Sequence, residues 1–119
     1  MTEYLPKFKP GQTVTFTATA AITGGQLVEV SGDRSVAPAG AASTKVVGVA
    51  GFDAESGDLV TVHIGGVQHI ASTAAVIAAG AVVQAAAGGK IVAGTTAPIG
   101  IALTAVPAAG GDVQVLMDR

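Results

Sequence analysis

Cysteine and tryptophan are absent from these 119 residues, aromatics amount to one tyrosine and three phenylalanines, and charged residues make up 12 %. Without cysteine there can be no disulfide, thiolate metal site or cysteine nucleophile. With so few aromatics there is no platform on which nucleic-acid bases or pyranose rings would stack. Six scattered Lys and Arg residues against eight Asp and Glu give a formal charge of −2. Nucleic-acid binding needs the opposite, clustered cations that displace counterions. The N-terminal "MTEYLPKFKPG" has prolines and charges where a secretory signal needs an apolar run. The most apolar stretch, "AAVIAAGAVVQAAAGG" (74–89), is too short and too broken by glycine to cross a bilayer. The expectation is a soluble protein made in a cytoplasm without an export signal, with neither nucleic acid nor membrane as partner.

What is present is Ala, Val, Ile and Leu among 17 glycines, with 50 % of the chain apolar. Such a mixture suits short strands joined by tight turns. From residue 12 the hydrophobic period is two. "QTVTFTA" sets Val14, Phe16 and Ala18 against a threonine face, the mark of a half-buried strand. Eight more short runs follow, at 27–30, 46–51, 59–64, 67–71, 81–85, 90–93, 99–104 and 112–117, with Gly-Gly and Gly-Asp turns between them. Nine strands at roughly ten-residue spacing predict an all-β fold, a small barrel or sandwich. Over 72–79 the Ala-rich "STAAVIAA" leaves a short helical turn, a loop and a strand all open.

An internal repeat is legible. "GQLVEVSGDRSVA" (25–37) resembles "GAVVQAAAGGKIV" (80–92), "VGVA" (47–50) resembles "IGIA" (99–102), and "AESGDLVTV" (54–62) resembles "AAGGDVQV" (108–115). The three blocks keep their order at a spacing of about 52–55 residues, which predicts two β-units, about 25–64 and 80–117. Two such units could cover each other's apolar faces and form one pseudo-symmetric barrel. Residues 12–119 are therefore expected to make a single domain.

Polar chemistry concentrates in "GFDAESGDLVTVHIGGVQHI" (51–70), where Asp53, Glu55 and Asp58 precede His63 and His69. If Gly65-Gly66 is a two-residue hairpin turn, the two imidazoles point to opposite sides of the sheet. If the strand runs straight on, they share a face about 20 Å apart at 3.3 Å per residue. The spacing of the two histidines matches no common zinc signature, so no metal site is expected. Asp58 follows Gly57 as Asp112 follows Gly111, in a turn whose carboxylate bonds local N–H groups, and no histidine follows Asp112. Asp53 and Glu55 read as solvated loop charges. Ser31, Ser35, Ser43, Ser56 and Ser72 lie in turns, and no G-x-S-x-G elbow or phosphate-binding glycine loop occurs. No catalytic residue and no cofactor is expected.

The first eleven residues differ from the rest. Pro6 and Pro10 disfavour helix, and Tyr4 and Phe8 are half of the chain's aromatics. The segment reads as an extended arm that needs a partner surface to bury Tyr4, Leu5 and Phe8.

The motifs "KPGQTVTFTA" (9–18), "TGGQLVEV" (23–30), "VVGVAGFDAESGDLVTVHIGGVQHI" (46–70), "AAGAVVQ" (78–84), "IGIAL" (99–103) and "GGDVQVLM" (110–117) come in an order that resembles tailed-bacteriophage capsid decoration proteins, including the lambda-type head decoration protein. "AAGAVVQAAAGG" departs from that pattern in lacking the acidic residue often found after the glycine. The resemblance implies a β-barrel homotrimer on the outer surface of an expanded phage head, stabilising the lattice of the major capsid protein. It also implies that an N-terminal arm adds capsid contacts, here Thr2, Glu3, Tyr4, Leu5, Pro6, Lys7, Phe8, Lys9 and Pro10. The competing expectation is a β-rich adhesive or tail-associated binding module of a virion.

Overall fold

A computed structural model describes residues 13–118. The chain forms ten short strands in two sheets of five, with a single 3₁₀ turn at Ala87–Gly89 as the only helical element among the described residues. The first unit holds β1 (Thr13–Ala18), β2 (Leu27–Gly32), β3 (Ser35–Pro38), β4 (Val46–Ala50) and β5 (Leu59–His63). The second holds β6 (Gly66–Ala71), β7 (Val82–Ala86), β8 (Lys90–Ala93), β9 (Pro98–Ala102) and β10 (Asp112–Met117). The all-β expectation holds, and one strand exceeds the nine read from the sequence. That strand is β3, whose four residues "SVAP" end in proline and are too few to show alternation.

The order β1-β3-β2-β4-β5 closes on itself as a barrel, through the antiparallel β1–β5 pair and a parallel β1–β3 seam joining Thr17 to Ser35 and Ala18 to Val36. The second unit repeats the same topology in the order β6-β10-β9-β7-β8. Its seam shrinks to one parallel bridge, Ser72 to Ile91. The repeat reaches down to single irregularities. The pairing shifts register between Val28 and Glu29 on β2, and again between Val83 and Gln84 on β7. Such a shift is a bulge that bends the strand and sharpens its twist, which a small closed sheet requires.

Two features depart from the sequence reading. The first unit closes a barrel by itself, whereas the second is a five-stranded sheet whose interior cluster also takes in residues of the first. Val28, Val36, Val60 and Val62 fill the first with Ala18, Ala50 and Ala54. A five-stranded lumen has room for small side chains and little else, which accounts for an Ala/Val composition nearly devoid of aromatics. In addition, register places Asp58 opposite Gly111 rather than Asp112. Ala18 N–H donates to the Asp58 carbonyl as Ser72 N–H donates to that of Gly111, and Leu59 pairs with Thr17 as Asp112 pairs with Ala71. Asp112 thus opens a strand, while Asp58 sits in a turn.

Segment 72–80 forms no helix. Ser72 and Ile77 make isolated bridges to Ile91 and Val106, the second matching the Ile22–Ala54 bridge of the first unit. Ser72 is buried, and its hydroxyl accepts the Gly111 N–H at 3.0 Å.

Between the units, Leu27, Ala39, Val46 and Val49 leave the outer side of the first barrel and join the interior cluster of the second, with Ile70, Ile91 and Ile99. The turn between β7 and β8 lies against β2 so closely that a Cβ at Gly89 would stand 2.8 Å from the Leu27 carbonyl oxygen. Gly89 also has φ +71, so glycine is required there twice over. Hydrogen bonds from Gly89 N–H to the Ala39 carbonyl, from Ala42 N–H to the Ala85 carbonyl and from the Gln26 amide to the Gly88 carbonyl tie the contact.

Candidate functional site

The polar stretch 51–70 is divided between the units. Gly65 and Gly66, at φ +66 and +69, do not turn a hairpin; they carry the chain from β5 out of the first barrel and into β6 of the second sheet. His63 lies on the outer side of β5, exposed, with its ring against Gly51. His69 lies on β6, paired with Gln114 of β10, and borders a shallow inter-unit cleft of about 400 Å³ with Gln26, Lys90 and Asp112. Among the described residues, no group of three His, Asp or Glu side chains gathers where one ion would reach them.

Three of the carboxylates, those of Asp58, Asp53 and Glu29, serve the structure. Asp58 accepts the Glu55 N–H at 3.1 Å, closing the turn before β5. Asp53 is more than a solvated charge, because it accepts the Gly24 N–H at 2.8 Å and joins two loops 29 residues apart. Glu29 accepts the Gly40 N–H at 2.8 Å, with Lys45 Nζ 3.8 Å from its other oxygen. The Gly40 bond holds the Glu29 carboxyl below the usual carboxylate range; partial burial opposes it, while Ser43 and Lys45 reinforce it. Ser35 and Ser56 hydroxyls donate to the carbonyls of Asp33 and Thr19. Ser31 shares a hydrogen bond with Thr19, and Ser43 accepts the Lys45 N–H. The Ser35 and Ser43 bonds are local, whereas those of Ser31 and Ser56 tie Thr19 to β2 and to the loop before β5. Ser31 and Ser35 lie on strands rather than in turns, and no histidine partners any of these hydroxyls among the contacts described.

Residues Thr2 to Pro10, expected to contact a capsid, lie outside the described residues. The segment connects at Thr13, which opens β1 and pairs with His63.

A surface not singled out in the sequence emerges from the register. Val67 on β6 pairs with Leu116 on β10, Leu116 with Ile101 on β9, and Ile101 with Val82 on β7. The four side chains form one unbroken row across the outer side of the second sheet, exposed at 51, 47, 44 and 37 %. Their strand neighbours Ile70, Val83, Ala102, Val115 and Met117 point inward and are buried. The signal was present in "IGIA" and "DVQVLM", which are apolar on both faces at 99–102 and 115–117. Such runs read equally well as strands buried on both sides.

The whole is a scaffold of strands and tight turns whose polar groups serve local geometry, with an apolar row on one outer face: the makings of a structural protein. Comparison with known proteins gives that class its family. The phage cement protein family matches residues 8–117, and the chain belongs to it, a phage capsid-associated structural protein. The match takes in both units and, of the expected contact residues, Phe8, Lys9 and Pro10. Among solved structures, the chain is similar to the head fiber gp8.5 N base in bacteriophage phi29, with a TM-score of 0.72 at 19 % identity, over 91 % of this chain and 94 % of that one. At that identity the likeness speaks to fold alone. No curated protein matches.

Proposed function

We propose that this chain is a non-enzymatic cement protein that binds the outer surface of a phage head as a homotrimer and stabilises the lattice of the major capsid protein. The observation that carries the reading is the phage cement family match, which runs through both units and starts inside the N-terminal segment. The composition supports it. Half the chain is apolar, and the second sheet keeps a row of apolar side chains on its outside, as expected of a surface covered in an assembly. The N-terminal segment, with Tyr4, Leu5 and Phe8, supplies the capsid contact in this reading. Backbone pairing and a few apolar anchors give modest affinity per copy, and repetition over a lattice multiplies it.

The test is direct. Purified protein is added to heads that lack it, and bound copies are counted against concentration. Saturable binding at a fixed number of copies per head, together with raised resistance of the heads to heat, is the expected result. Absence of binding by the full chain would overturn the reading. Binding to host cell-surface glycan instead would move the protein to the adhesive class.

A further inference from the structure

We propose that the Glu29 carboxylate is an acid-sensitive latch between the two units: when it takes up a proton, the loop 39–45 loosens its hold on the second unit while the first barrel stays closed.

One strand and one loop make the latch. Glu29 stands on β2, between Ala37 of β3 and Val46 of β4. Its carboxylate accepts the Gly40 N–H at 2.8 Å and also meets Ser43 and Lys45, so a single side chain gathers the whole loop. The same loop is the bridge to the second unit. Its Ala39 carbonyl accepts the Gly89 N–H at 3.0 Å, and its Ala42 N–H donates to the Ala85 carbonyl at 2.9 Å. Ala39 and Val46, at its two ends, are buried in the interior cluster of the second sheet. Ala42 has φ +51, a left-handed conformation that alanine keeps only where its surroundings impose it. The carboxylate on one side and the Ala85 carbonyl on the other supply that constraint.

The repeat shows that such a tie needs no charge. Gln84 holds the loop 94–97 with an amide oxygen, through the Thr96 and Ala97 N–H groups. Among the described residues, no hydrogen bond joins that loop to the first unit. The titratable side chain therefore stands where the loop reaches the other unit, and the neutral one where it does not.

Lys45 is the one charged group among the described residues that faces the Glu29 carboxyl, and the second unit brings only the uncharged Ala85 and Gly89 to the loop. The Gly40 bond holds the carboxyl below its ordinary 4.5; partial burial opposes it, and Ser43 and Lys45 reinforce it. The hold is complete above that ordinary value and is lost as pH falls through the folded-state value. Leu27 and Val49, buried between the units, carry no titrating group. Acid thus loosens the joint without parting the lobes.

Amide hydrogen exchange on the full chain, followed residue by residue and corrected for intrinsic rates, tests the latch. Between about pH 6 and about pH 3, protection at Ala42 and Gly89 should fall about tenfold further in the wild type than in Glu29→Gln, while the amides of β5 keep theirs. The other carboxylates are common to both proteins, so the difference belongs to Glu29. An equal fall in both would overturn the inference. So would loss of protection throughout β5 at the same pH, since the whole chain would then open at once. Should Glu29→Gln not fold, the wild type alone decides: Ala42 and Gly89 must lose protection at a higher pH than β5, and simultaneous loss overturns the latch.

Discussion

Glu29 and Gln84 are the same residue of two units. Each follows the bulge on its strand, β2 or β7, and each side chain reaches over to accept backbone N–H from the loop beyond the next strand, Glu29 from Gly40 and Gln84 from Thr96. One unit uses a charge for this tie and the other an amide. Glu29→Gln should therefore fold, keep the bond and lose its pH dependence. The Glu29 carboxyl is lowered from an ordinary value of 4.5 in the folded chain. Its contribution is therefore complete above that value and disappears as pH falls through the folded-state value. Urea midpoints of the wild type between pH 6 and pH 3 should fall more steeply than those of Glu29→Gln. Equal slopes would show that the carboxylate carries no linkage.

Gly48 and Gly100 form a second matched pair. A Cβ at Gly48 would run into the His63 carbonyl oxygen, and one at Gly100 into that of Leu116. In both cases the obstacle is backbone of the adjacent strand, which cannot swing aside as a side chain can. Alanine at either place should cost about 1–3 kcal/mol through overpacking, read as a lower denaturant midpoint. An unchanged midpoint would mean that the β4–β5 and β9–β10 pairs tolerate separation.

Leu27 and Val82 test burial against position. They are equivalent by register, yet Leu27 is wholly buried between units while Val82 is 37 % exposed. Leu27→Ala should cost about 2–5 kcal/mol. Val82→Ala should change the stability of an isolated chain by less than about 1 kcal/mol, since surface substitutions seldom exceed half of that. Similar losses at both would show that the second sheet's outer face is already covered within one chain.

Deletion of residues 1–10 should weaken attachment to heads and leave the melting temperature of the strand scaffold within a few degrees of the full chain. Undiminished attachment would remove Thr2 to Pro10 from the contact.

Strand alternation and turn residues were enough to read the all-β class and most of the strands. Pairing was harder, because a period of two says which side chains share a face and not which strands are neighbours. Hence Gly65-Gly66 was open to two readings, a hairpin turn or a strand running straight on, when it lies at the joint between units. Two facing half-barrels likewise looked natural when the first unit closes alone and the second sheet packs its interior against the outside of the first. Asp58 and Asp112 matched as letters, and only the bonds from Ala18 and Ser72 reveal that Asp112 lies one place further on. The outer row was hidden for a related reason. Ile101 and Leu116 look like core residues in sequence, and only the register with Val67 and Val82 puts them outside.

The Gly65-Gly66 joint makes the molecule a tethered pair. Only Ile64 and Gly65 stand between the end of β5 and the start of β6. So short a tether keeps two like lobes at high mutual concentration, and the contact through Leu27 and Val49 need not be strong enough to hold two free lobes together. The two tethered lobes differ in closure: one is fastened along a two-pair seam, the other by a single bridge, with its apolar row on the outside.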